Sequence, residues 1–260
     1  LFINAYLAAG GPTGSWGWPT VGKTLGLPNG GSTVTFQNGV AVHTSATGVV
    51  YMPKAAYDNW MGNGGPSGIL GYPTESGTPY LDVPYTHQFA TEISWLTYNS
   101  ISDVAKGGDY RPDDKTTRAE IAQMLFNDAK RRGVKSAVNW AAPAASPFKD
   151  VAPSALGYQA ITWLAAQGIT PGWSDGTFRP GNNVERGAIA AFFYRYAGKP
   201  AFPPTGKTFN DVSRTNQFFT EIDWMTSQEI TLGWADNTFR PLENTDRGAM
   251  AAFIYRLNGM

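Results

Sequence analysis

Four landmarks recur three times in one register along this chain, and that repetition constrains the fold more than any other feature. From Asp150, Trp163 lies thirteen residues on, Arg179-Pro180 twenty-nine on and Arg186 thirty-six on. The same steps from Asp82 reach Trp95, Arg111-Pro112 and Arg118, and from Asp211 they reach Trp224, Arg240-Pro241 and Arg247. A repeat of this period is one supersecondary unit that cannot bury its apolar face alone, so the copies are expected to pack on one another.

Each copy opens on Asp-Val (LDV, FKDV, FNDV) and leads into a short helix marked by an apolar pair three apart, Ile161 with Leu164 or Ile222 with Met225. A loop follows, GWSDGTFRP in the second copy and GWADNTFRP in the third, where Asp175-Gly176 and Asp236-Asn237 can supply a left-handed turn. The first copy reads VAKGGDYRP there, with Ala105 in place of the Trp. A second helix then begins. TRAE at Thr117 to Glu120 has the form of a capping box. Ile121, Met124 and Leu125, then Ile189, Phe192 and Phe193, then Met250, Phe253 and Ile254 form the stripes that would bury these helices. The expected boundaries are 78–135, 148–198 and 209–260 for the repeats, with Ala/Pro-rich links at 136–147 and 199–208.

Residues 1–77 repeat with another period. Tyr6 with GGPTGSWGWP is echoed by Trp60 with GGPSGILGYP, which predicts one full unit over 1–56 and half a unit over 57–77. Gly-Gly-Pro ends a short helix through a left-handed cap and a residue without an N–H. Val34, Phe36, Val40 and Val42 alternate about Asn38-Gly39, which predicts a type I′ hairpin, and GVVYM at 48–52 reads as one more strand. The chain begins at Leu1 without an initiator Met or signal peptide, as a processed or excised segment would, and the half unit suggests a longer array on the N-terminal side.

Composition excludes several classes of function. Net charge is zero with 15% charged residues, so no basic field attracts nucleic acid or an anionic membrane, and no apolar run is long enough to insert into one. There is no cysteine, and His43 and His87 stand alone, so neither a metal nor a cofactor is implied. No nucleophile-elbow, zincin or phosphate-loop pattern occurs. Asp82, Asp150 and Asp211 are triplicated at equivalent positions, which marks scaffold rather than the paired carboxylates of one active site. The chain reads as non-catalytic.

FKDV, AITWLAAQGI, GWSDGTFRP and the Arg-headed helix ending FFYR together are similar to the S-layer homology domain, over all three copies from about Thr78 to Met260. WGWP (Trp16 to Pro19), LGLP (Leu25 to Pro28) and LGYP (Leu70 to Pro73) resemble the LGFP repeat of actinobacterial cell-envelope proteins. The first resemblance implies a mainly α C-terminal module of three helical repeats in a pseudo-threefold prism, preceded by a small α+β region. It also implies a secreted, wall-bound protein whose inter-repeat grooves bind cell-wall polysaccharide, often through a pyruvylated, anionic sugar attached to the peptidoglycan envelope. Two other readings remain: a structural protein assembling chain to chain in a surface lattice, and the targeting part of a wall hydrolase.

The family's TRAE arginine contacts ligand, and the matching positions are Arg118, Arg186 and Arg247; the second and third copies read ERGA and DRGA. The macrodipole disfavours a cation at a helix start. Such an arginine either pairs with a carboxylate such as the repeated Asp, or offers its planar fork to an anion on the polymer. Trp95, Trp163 and Trp224 either fill the seam between repeats or wall a groove. Trp173 and Trp234, in the loops, are candidates to stack on a sugar ring, and Asp175 and Asp236 are either turn formers or ligand contacts.

Overall fold

The structure is a computed structural model and describes residues 1–62, 64–67, 72–73, 80, 82–84, 87–104 and 108–260. Leu70 of the LGYP motif, Leu81 of LDV, Ala105 and the expected boundary between Gly77 and Thr78 lie outside the described residues. The chain forms two compact units, one of Leu1–Asn99 with Val104–Pro112, the other of Ser100–Asp103 with Asp113–Met260.

In the first unit, α1 (Phe2–Ala8) ends at Gly10 and Gly11, both at positive φ, as the Gly-Gly-Pro signal predicts. Four antiparallel strands follow in sequence order, β1 (Pro19–Leu27), β2 (Gly31–Phe36), β3 (Gly39–Thr44) and β4 (Gly48–Pro53). Helices α2 (Lys54–Gly62) and α3 (Ala90–Tyr98) complete the unit. Alternation sends Phe36, Ala41 and Tyr51 to one face, against Trp16 and Tyr6, with Trp16 stacked on Tyr51 at 4.7 Å. Val40, Val42 and Met52 face the other way and are covered by Ala56 and Trp60 of α2 and Tyr98 of α3. The hairpin differs from expectation by one residue. Phe36 pairs with Gly39, so Gln37 and Asn38 make the turn and neither adopts positive φ. Gly39 is needed for close approach instead, because a Cβ there would lie 2.1 Å from the Met52 carbonyl oxygen.

The second unit contains α4 (Arg118–Arg131), α5 (Lys135–Val138), α6 (Tyr158–Ala166), α7 (Arg186–Tyr196), α8 (Phe219–Ser227) and α9 (Arg247–Leu257). The segments ahead of α4, α7 and α9 are tied in a closed ring. Thr116 N–H donates to Thr245 C=O at 2.9 Å, Val184 N–H to Thr116 C=O at 2.9 Å, and Thr245 N–H to Val184 C=O at 3.1 Å. Around it, Arg118, Arg186 and Arg247 donate their backbone N–H to the carbonyls of Asn182, Glu243 and Asp114, each at 2.9 Å. These bonds satisfy amides that a helix start leaves without intrahelical partners. Outside the ring, α4 packs on α6 and α7 on α8. Trp163 fills the first contact, 5.5 Å from Phe126, and Trp224 the second, 5.5 Å from Tyr194.

The expected mainly α architecture is corrected. The structure is 37% helix and 14% strand, with nine α-helices among the described residues and a four-stranded antiparallel sheet at the N-terminus. Two physical causes stand out. Strand β1, exposed along almost its whole length, joins the sheet by antiparallel pairing with β2. In the repeats, much of each copy is loop, fixed by a carboxylate rather than by helix. Asp150 accepts the N–H groups of Phe178 and Arg179 at 2.8 and 2.7 Å, and Asp211 those of Phe239 and Arg240 at 2.8 and 2.6 Å. In the first unit Asp82 does the same for Tyr110 and Arg111, at 2.7 and 2.6 Å. Each clamp holds an arginine at positive φ: 57° at Arg111, 60° at Arg179 and 60° at Arg240.

Two stability changes of opposite sign are expected. Asp150→Ala removes both clamp bonds from a solvent-facing carboxylate and should cost about 1–2 kcal/mol, read as a lower urea midpoint. The hydroxyls of Thr116 and Thr245 are buried without a partner among the described residues, while Val184 holds the third place in the ring. Thr245→Val should therefore leave the midpoint unchanged or raise it, by up to about 1 kcal/mol. A drop would show that a buried water serves that hydroxyl.

Candidate functional site

Helix α4 begins after Thr117, whose hydroxyl accepts from the Glu120 N–H at 3.2 Å while the Glu120 carboxylate accepts from the Thr117 N–H at 2.7 Å. This is the capping box read from TRAE. Arg118 is therefore fixed at a helix start and is only 9% exposed. Its Nε donates to the Phe178 carbonyl at 2.7 Å. Its guanidinium lies 4.7 Å from the Phe178 ring centre, 5.5 Å from Phe192 and 5.9 Å from Trp173. The terminal nitrogens have no side-chain or carbonyl partner among the described residues. Burial chiefly, and the Arg179 charge next, push the Arg118 pKa below its ordinary value.

Arg186 repeats this geometry. Its Nε donates to the Phe239 carbonyl at 2.7 Å, and its guanidinium lies 4.8 Å from Phe239, 5.2 Å from Phe253 and 5.9 Å from Trp234. Burial lowers its pKa, with Glu243 and Asp246 acting in the other direction. Arg247 differs. It donates through Nη1 to the carboxylate of Glu120, and its side chain is 5% exposed. None of these pairings with Arg118, Arg186 or Arg247 uses the repeated Asp, which is committed to loop amides.

The loop tryptophans are half open, Trp173 at 47% and Trp234 at 46% exposed. An arginine covers part of each, Arg179 at 4.1 Å from Trp173 and Arg240 at 4.3 Å from Trp234. Asp175 organises its loop, accepting from Thr177 N–H at 2.9 Å, Thr177 Oγ1 at 2.6 Å and Arg179 Nη2 at 2.8 Å. Asp236 does likewise with Thr238 and Arg240. The Thr177 hydroxyl first, then Arg179, hold the Asp175 carboxyl down at about 2.

A cleft of about 410 Å³ brings Arg118, Trp173 and Arg179 together with Glu185, Ala188 and Arg195. Trp95, Trp163 and Trp224 are not part of it; all three are buried. Arg195 was not singled out by the sequence reading. Its Nη1 reaches the Ile169 carbonyl at 3.5 Å, as Arg256 reaches Ile230 at 3.3 Å and Asn127 Nδ2 reaches Ile101 at 3.1 Å. The available signal was a polar side chain nine residues after each helix-opening arginine.

Residues 79–122, 147–190 and 208–251 match the S-layer homology domain, together about half of the chain, and residues 17–68 match the LGFP repeat. The chain belongs to the S-layer homology family. Two proteins of Acetivibrio thermocellus are similar to it. Cell surface glycoprotein 1 is 29% identical over 158 residues, which is 57% of this chain and 7% of that protein. The Cellulosome-anchoring protein is 29% identical over 161 residues, 58% of this chain and 33% of that protein. The matched stretch is thus a minor part of each relative's length. In this chain's S-layer homology repeats, the second and third helix-opening arginines carry the same cradle as the first, or a substitute carboxylate, despite the altered TRAE sequence.

The Asp175 network has a pH signature. Its carboxyl is depressed from 3.8 to about 2, so the stabilisation is present above pH 3.8 and is lost as pH falls toward 2. In urea titrations between those values the Asp175→Asn variant should lose less stability than the parent. Parallel losses would show that the network contributes nothing.

Proposed function

We propose that this chain attaches its protein to the cell surface by binding an anionic wall polysaccharide non-catalytically, with the cleft at Arg118 as a glycan subsite. The observation that carries this reading is a nearly buried guanidinium at the cleft, held by one carbonyl and flanked by aromatic rings, whose terminal nitrogens have no hydrogen-bond partner among the described residues. A planar fork of that kind suits a carboxylate or phosphate, and the half-exposed Trp173 beside it suits the apolar face of a pyranose. Membership of the S-layer homology family and relatives named for the cell surface and for anchoring support the same role. Among the described residues no helix is long and apolar enough to cross a membrane, so attachment through a polymer accords with the elements present.

The binding module extends over the three repeats, 78–135, 148–198 and 209–260, with the LGFP-like region over 1–77 as a second element of a secreted, wall-bound protein. Asp175 and Asp236 keep the loops in shape, and Trp234 with Arg186 forms the counterpart of the Trp173 and Arg118 pair. More than one weak subsite on a single polymer raises avidity without new kinds of contact.

Co-sedimentation with peptidoglycan bearing its polysaccharide should succeed, and should fail with walls stripped of that polymer by acid. Equal binding to both would sink the reading. Trp173→Ala should weaken binding about tenfold, equivalent to ~1.4 kcal/mol, while leaving the thermal midpoint near that of the parent, since the ring is half exposed.

A further inference from the structure

The three helix-opening arginines are equivalent by sequence, yet the residue two places after each differs: Glu120 after Arg118, Ala188 after Arg186 and Ala249 after Arg247. The Glu120 carboxylate does not serve Arg118 on its own helix; it reaches Arg247 on α9. Ala188 lines the cleft of Arg118, and by the step of the repeat it corresponds there to Glu120 at Arg247. By the same step of the repeat, Ala249 stands toward Arg186. A carboxylate is thus built in for one arginine of the three and replaced by a methyl group for the other two.

Resting on the glycan-binding reading above, we propose that this third helical position decides which arginine takes the polymer's anionic group. Arg118 is the principal site, Arg186 a weaker one, and Arg247 is closed by Glu120. An anion approaching Arg247 would have to displace a carboxylate already bonded to a buried guanidinium and held in place by Thr117. Arg118 meets no such competitor. Asp150, the acid that acts on it, is committed to two loop amides, Arg179 is paired with Asp175, and the cleft lining sets the charge of Arg195 against the single carboxylate of Glu185. Arg186 lies between these extremes: its backbone N–H donates to Glu243, a carboxylate-bearing residue where Arg118 has Asn182, while its third-position partner is Ala249.

The test uses the full chain and polysaccharide released from bacterial walls by a muramidase, titrated calorimetrically at low ionic strength. Ala188→Glu should weaken binding by at least about tenfold, since it places beside Arg118 the carboxylate that Arg247 already has. Ala188→Gln, of nearly the same size, should weaken binding less than Ala188→Glu does, because it fills the same space without adding a charge beside Arg118. Ala249→Glu should weaken binding less than Ala188→Glu. The double variant Glu120→Gln with Arg247→Gln removes both partners of the pair, retains a residue able to close the capping box, and should bind as the parent does. The inference is overturned if Ala188→Glu binds normally, if Ala188→Gln loses as much as Ala188→Glu, or if the double variant loses as much as either. Failure of the parent itself to bind the released polysaccharide would instead bring down the glycan reading, and this inference with it.

Discussion

The cleft depends on a single peptide group and the carboxylate that holds it. Asp150 accepts the N–H of Phe178 and of Arg179, and the carbonyl of that same Phe178 accepts from Arg118 Nε. Loop shape, aromatic cradle and guanidinium orientation are therefore one chain of hydrogen bonds rather than three features. The clamp also holds Arg179 at a φ of 60°, a conformation unfavourable for a residue with a Cβ, and so presents its guanidinium 4.1 Å from Trp173. A charged acceptor on two backbone amides is the kind of interaction strong enough to maintain such a turn. Because Asp211 and Phe239 stand in the same relation to Arg186, the repeat copies the arginine cradle along with the loop clamp.

The ring of Thr116, Val184 and Thr245 adds a second constraint. Its three bonds fix where α4, α7 and α9 begin, and so carry two of the helix-opening arginines to the loop of the following copy: Arg118 to Phe178, and Arg186 to Phe239. A repeat whose sites lie between copies cannot be assembled from one copy alone, which is the general condition of repeat architectures.

Much of this was legible in the sequence. The register of Asp, Trp, Arg-Pro and Arg marked the units, TRAE gave the cap of α4, and Gly-Gly-Pro gave the end of α1. What stayed hidden has physical causes. The strand β1 carries Pro, two glycines and a polar pattern without a buried face, so no periodicity reports it. Asn38-Gly39 has the composition of a type I′ turn, but the glycine is required by the approach of the Met52 carbonyl, a contact from another strand. The choice between carboxylate pairing and ligand binding for the helix-opening arginines could not be made locally. The repeated Asp serves amides, and the carboxylate that does meet an arginine, Glu120, is 127 residues from it.

That distant pair also says what the unpaired arginines cost and why they persist. A guanidinium removed from water needs its donors satisfied, and a carboxylate in the Glu120 position does this for Arg247. At Arg118 and Arg186 one donor is satisfied by a carbonyl and the charge rests against aromatic rings, a weaker compensation than an ion. Local rules broken without an internal compensation are expected where function requires the exposed chemistry. The fold thus keeps Arg247 as a structural ion pair and leaves the terminal nitrogens of Arg118 and Arg186 without a protein partner among the described residues, a difference that follows the one side chain at the third helical position of each copy.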